Sequence, residues 1–171
     1  LPICFSEFYR KLDMVRNGVP LGKVLKYVSF CYKMICQMDE IEKKVKRLRA
    51  YEVKRGEINQ VWDEICKMYD RCYTYKDLNN TYKKAYEMLE SVPMVKVSDE
   101  ERIKIGIVGE IYVIMESSVN MGVEQILNNM RIEVENAQYI SDWVNHNIRP
   151  RFLDSSSSHK VIKKAKRFVK M

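Results

Sequence analysis

The chain has 171 residues, of which 46% are hydrophobic and 31% charged, with a formal net charge of +7. That is long enough for one domain with a helical appendage, or for two small lobes, and too apolar for a disordered chain. No apolar run reaches the roughly 18 residues of a membrane span and no signal peptide is visible, so a cytoplasmic protein that does not engage the membrane is expected.

The charge sits at one end. The segment His159 to Met171 holds Lys160, Lys163, Lys164, Lys166, Arg167 and Lys170 and no acid, leaving the rest of the chain near neutral. A broad basic face for nucleic acid is therefore not expected, and the basic helix reads as a solvated surface or a severed continuation. The first residue is Leu1, followed by Pro2, as in an excised piece or processed product. The five cysteines, Cys4, Cys31, Cys36, Cys66 and Cys72, match no ligand spacing. Cys31 and Cys36 lie about 140° apart around a helix, so reduced thiols serving as small core residues are expected.

In chain order, Ile3 to Asn17 reads as a helix stopped by Asn17-Gly18. Pro20 suits the first turn of the next helix, whose apolar positions Val24, Val28, Cys31, Ile35, Met38, Ile41, Val45 and Leu48 are mostly three and four apart. This predicts one helix of about 45 Å, with a stripe narrow enough for helix–helix packing. Its second half, Glu40 to Arg49, is strongly charged and is expected to project or to be covered on one side only. Gly56 breaks the chain, and Ile58, Val61, Trp62, Ile65, Met68, Tyr69 and Cys72 then form an amphipathic face. Thr74 and Asp77 have the spacing of a capping box and open a helix carrying Leu78, Tyr82, Ala85, Tyr86 and Leu89, which Ser91-Val-Pro93 stops.

After the polar connector Met94 to Arg102 the character changes. Ile103 to Val108 is the one uninterrupted β-branched run that meets glycine, and Ile105 to Val108 reads as a fully buried strand of a parallel sheet. Ile111 to Met115 is β-prone, either extending that strand or entering a loop. Asn120 to Met130 suits a short helix, and Ile132, Val134 and Ala137 a second strand. Ser141 is placed to cap a helix through Trp143 to Ile148, stopped by Pro150. Ser155 to Ser158 reads as a linker and Lys160 to Lys170 as a last helix. The expected fold is thus α/β: a helical region over 1–93, then over 94–171 a partial Rossmann-like βαβα lobe with parallel strands and a basic C-terminal helix. Two parallel strands make a poor sheet alone, which predicts further strands from elsewhere.

Gly106-Ile-Val-Gly109 alone is only a G-x-x-G pattern. The longer string Ile103-Lys-Ile-Gly-Ile-Val-Gly-Glu-Ile-Tyr-Val113, with Val119-Asn120, Glu133-Val134, Tyr139-Ile-Ser-Asp-Trp143 and His146, resembles the D-component family of 2-hydroxyacyl-CoA dehydratases, close to the CoA-substrate-specific enzyme activase-related proteins. Leu48 to Glu57 resembles the helical segment before that strand, so the resemblance covers about Lys23 to Phe152. It implies a Rossmann-like lobe of a larger, oxygen-sensitive redox protein of the cytoplasm, whose [4Fe–4S] cluster ligands lie in other segments. The partners it implies are other domains or subunits of the same enzyme system. The chain departs from the family at Ser117-Ser118, where Pro and an aromatic are frequent, and at Arg131, where glycine is common.

No catalytic residue and no metal ligand is assigned. If a ligand contacts the lobe, Gly109, Glu110, Tyr112 and Asn120 are the candidates, because they follow the strand at its carboxyl end, where open α/β sheets bind ligands. The structural alternative has Glu110 capping a loop backbone and Tyr112 in the core. The competing function is a helical protein–protein interaction module without enzymatic activity, in which the helix over residues 20–49 pairs with itself or with a partner.

Overall fold

Asn17, at φ +43°, and Gly18, at φ +80°, turn the chain into its longest element, α1 (Leu21–Arg49). The computed structural model describes residues 17–147, together with Arg10 and Met14. The linker at Ser155 to Ser158, the basic helix from Lys160, and the expected first helix apart from its described residues lie outside that range. Pro20 supplies the carbonyl that accepts from Lys23 N and Val24 N, opening the first turn of α1. Its own missing N–H sits where none is required.

The chain divides into two compact units, Met34–Ile140 and a second made of Leu1–Lys33 with Ser141–Met171. The boundary expected at residue 93 falls inside the first. There the chain runs from the second half of α1 through α2 (Glu57–Tyr69), α3 (Tyr75–Ser91), a 3₁₀ turn (Asp99–Glu101), β1 (Lys104–Ile107), α4 (Ile111–Met115), α5 (Val123–Asn129) and β2 (Glu133–Asn136). α2 packs on α3 and α5 on β2. The interior comprises Ile41, Val45, Ile58, Ile65, Leu78, Ala85 and Leu89, all fully buried, with Tyr69, Ile114, Val134 and Tyr139 nearly so. Each large aliphatic so placed stabilises the unit by about 1.5–3 kcal/mol.

Local chemistry sets the element ends. Thr74 Oγ1 accepts from Asp77 N at 3.1 Å while the Asp77 carboxylate accepts from Thr74 N at 2.9 Å, the reciprocal box that the spacing predicts. Gly56, at φ +88°, has no side chain with which to cap α2. The buried carboxylate of Glu52 does so instead, accepting from Gly56 N at 2.7 Å and Ile58 N at 2.8 Å. Residues around Glu52 also pair antiparallel with those around Met94, through Val53 N to Pro93 O and Val95 N to Tyr51 O.

β1 and β2 are parallel, with Lys104 opposite Glu133 and Ile107 opposite Asn136. Parallel pairing agrees with the reading of the isoleucine run. Full burial does not. Lys104, Ile105 and Gly106 are exposed and Val108 is 81% exposed, whereas Glu133, Val134 and Asn136 of β2 are buried. A β-branched run signals a strand, but burial needs a second element against it, and among the described residues β1 has one neighbour strand. Ile111 to Met115 forms the short helix α4 rather than extended structure, because Glu110 caps its first turn: Oε2 accepts from Val113 N at 3.2 Å.

The charged half of α1 also departs from expectation. Ile41, Val45 and Lys46 are buried there, while Leu25, Tyr27 and Val28 of the first half are exposed. The charged side chains find partners inside the fold, as described below, so that half does not project. In the second unit, Tyr32 Oη of α1 donates to Asn145 Oδ1 of α6 (Ile140–Asn147) at 2.7 Å. This helix starts one residue before Ser141, its expected cap, and Trp143 is 44% exposed. Among the described residues no helix is long and apolar enough to cross a membrane.

Candidate functional site

The carboxyl end of β1 leads through Val108 and Gly109 into α4, and then through a tight turn at residues 116–122 into α5. The turn is built from its own polar groups. Glu116 Oε1 accepts from Ser118 Oγ at 2.8 Å and from Ser118 N at 3.2 Å. These bonds, led by that from the hydroxyl, hold the Glu116 carboxyl below its ordinary value. Val119 N and Asn120 N bond back to Glu116 O, and Met121 and Gly122 take left-handed φ values of +57° and +66°.

The four candidate residues of this region have distinct places. Gly109 has no positive φ, and a Cβ there would meet Ile114 Cγ1 at an ordinary 3.6 Å. Glu110 is the cap of α4. Tyr112 is 62% exposed and does not pack in the core. Asn120 donates from Nδ2 to Ile114 O at 3.1 Å and accepts at Oδ1 from Gly122 N at 3.0 Å, tying the end of α4 to the start of α5. Glu110 and Asn120 are thus each engaged with neighbouring backbone, and Tyr112 offers an open aromatic face.

Behind this end of the sheet lies a polar cluster that the periodicity of α1 did not disclose. Lys46 Nζ, 4% exposed, lies 2.9 Å from both Glu42 Oε1 and Glu124 Oε1, and Asn136 Nδ2 donates to the same Glu124 oxygen at 2.8 Å. Asn128 Nδ2 reaches Lys46 O at 3.2 Å and Ile132 O at 2.9 Å. The ammonium groups of Lys43 and Lys46 stand over the Tyr139 ring, at 4.4 and 5.5 Å from its centroid. Arg55 donates to Asn128 O and Asn129 O at the end of α5, where the helix dipole favours a cation. Burial pulls the nearby Arg49 guanidinium below its ordinary value, opposed by Glu124, Glu52 and Glu42. The cluster thus joins α1, α5 and β2 through hydrogen bonds and charge. Its one legible trace is a lysine and a glutamate one helical turn apart on α1, a pattern as common on solvated faces.

Cys31, Cys36, Cys66 and Cys72 are free thiols, and desolvation pushes Cys66 above its ordinary value. Among the described residues no group of three His, Cys, Asp or Glu side chains comes together as a metal-ligand set. No family model, curated protein or solved structure matches the chain.

Proposed function

We propose that this chain is a non-catalytic, partial Rossmann-like lobe of a 2-hydroxyacyl-CoA dehydratase-type or activase-related redox system, with any [4Fe–4S] cluster held by other domains or subunits. The observation that supports this reading is the backbone of Arg131. It sits at φ +62°, a conformation that suits glycine, at the position where the resembled family commonly has glycine. The parallel β1–β2 pair, joined through two helices, agrees with the same reading. The employment of Glu110 and Asn120 on neighbouring backbone suits a scaffold rather than a catalytic end. The test is anaerobic purification of the native assembly containing this chain, with iron assay and visible absorption. Iron is expected in the assembly and absent from the isolated chain; an iron-free assembly would refute the proposal.

A second reading, a helical protein–protein interaction module, is favoured by the exposed Leu25, Tyr27 and Val28 on the first half of α1. Light scattering of the chain and of Val28→Asp discriminates it. Self-association lost in the variant supports α1 as the contact, and a strict monomer insensitive to the change removes it.

A further inference from the structure

Asn17-Gly18 is the one Asn-Gly pair in the sequence. Both residues are exposed and lie in the left-handed region, at φ +43° and +80°. A Cβ built on Gly18 would meet nothing within 4 Å, and Gly18 N donates to no backbone carbonyl among the described residues. The nitrogen that follows the Asn17 side chain is thus unhindered by a side chain of its own and stands in an exposed turn.

The other asparagines lack these features. Each is followed by a residue with a Cβ. Gln60 N, after Asn59, donates to Gly56 O, Met130 N, after Asn129, to Ile126 O, and Ala137 N, after Asn136, to Ile107 O. Asn79, Asn80, Asn128 and Asn145 sit within helices, whose backbone N–H groups are engaged. The Asn120 side-chain amide is itself tied at both ends, to Ile114 O and to Gly122 N.

We propose that Asn17 is a site of spontaneous deamidation. Rotation about its Cα–C bond brings Gly18 N, deprotonated, against Asn17 Cγ. The new N–Cγ bond closes a five-membered succinimide, the Cγ–Nδ2 bond breaks, and the side-chain nitrogen takes up protons and leaves as ammonia. Water then opens the ring. Cleavage of the N–Cγ bond gives aspartate, and cleavage between that nitrogen and the backbone carbonyl carbon gives isoaspartate, whose main chain runs through Cβ and Cγ. Either product lowers the formal net charge of +7 by one. The new carboxylate stands just ahead of α1, whose first turn holds no acid and where the helix dipole favours a negative charge. This inference concerns a different part of the chain from the sheet and does not depend on the redox reading.

The test is peptide mapping by mass spectrometry of the whole chain after incubation at mildly alkaline pH, with isoaspartate counted by enzymatic methylation. Conversion is expected to concentrate at Asn17, to yield both isomers, and to quicken as pH rises, because the attacking nitrogen must lose its proton. Gly18→Ala is expected to slow it several-fold. That change also strains a left-handed residue, so Asn17→Gln is the second control. Its ring would need six members, and conversion at residue 17 should fall to the background of the other amides. An Asn17 that stays intact in the folded chain, while a synthetic peptide of the same segment converts, would show that the turn protects it and overturn the proposal. Conversion spread evenly over the asparagines, or unmoved by Gly18→Ala, overturns it as well.

Discussion

Lys46 on the long helix and Glu124 on the crossover helix, 78 residues apart in sequence, meet at 2.9 Å inside the larger unit. Each is less than a tenth exposed. Removing one partner of such a pair leaves an uncompensated buried charge, which costs about 3–5 kcal/mol. Lys46→Met is accordingly expected to lower stability by about 3 kcal/mol in urea unfolding. Adding Glu124→Gln should recover part of the loss, because it removes the orphaned charge and keeps an acceptor for Asn136 Nδ2. A single-variant loss below about 1 kcal/mol would mean that water reaches the pair.

The two halves of α1 differ in burial in a way one residue type can report. Val45 is fully buried and Val28 is 47% exposed. Truncating a buried valine forfeits about two methylene equivalents of transfer free energy plus a cavity contribution, so Val45→Ala is expected to destabilise by about 2 kcal/mol. Val28→Ala should stay within about 0.5 kcal/mol. Equal effects at the two sites would contradict the burial pattern.

Backbone conformation gives a third contrast. Gly56 lies at φ +88° and Arg131 at φ +62°. Gly56→Ala is expected to lower stability by about 1 kcal/mol and Arg131→Gly to raise it by about 0.5–1 kcal/mol, since a left-handed residue is strained for any side chain with a Cβ. Thermal unfolding of both variants checks the pair. A destabilised Arg131→Gly would show that the arginine side chain contributes more than its backbone strain removes.

At alkaline pH the tyrosines decide. Desolvation by burial is the leading cause that raises the phenols of Tyr69 and Tyr139 well above their ordinary value. A raised folded-state value for an acid favours its neutral form in the fold. The associated stability is therefore complete below the unfolded value, about 10, and is lost as pH rises beyond it. Spectrophotometric titration should find these two phenols resisting ionisation until the chain unfolds, and Tyr69→Phe should reduce the pH dependence above about 10. Ionisation of all the tyrosines in one step at the ordinary value, with the fold intact, would refute this.

Much of the architecture is written in short-range chemistry. The Thr74–Asp77 box, the turn glycine at 56, the stop at Val92-Pro93 and the β-branched run of β1 all act within a few residues, so the sequence alone placed α2, α3, β1, α5 and β2. It also listed Glu110 as a backbone cap beside its candidacy for ligand contact. Only the tertiary structure decided that Lys46, Glu52 and Glu124 are buried, that Tyr112 faces solvent, and that β1 is open where its composition suggested full cover. The reason is physical. Helix and strand propensity, capping and turn formation are energies of neighbouring residues, whereas burial of a charge or a strand depends on what arrives from far along the chain. A lysine becomes an interior residue only when a distant carboxylate meets it, and the isoleucine run stays exposed because, among the described residues, β2 is its one neighbouring strand.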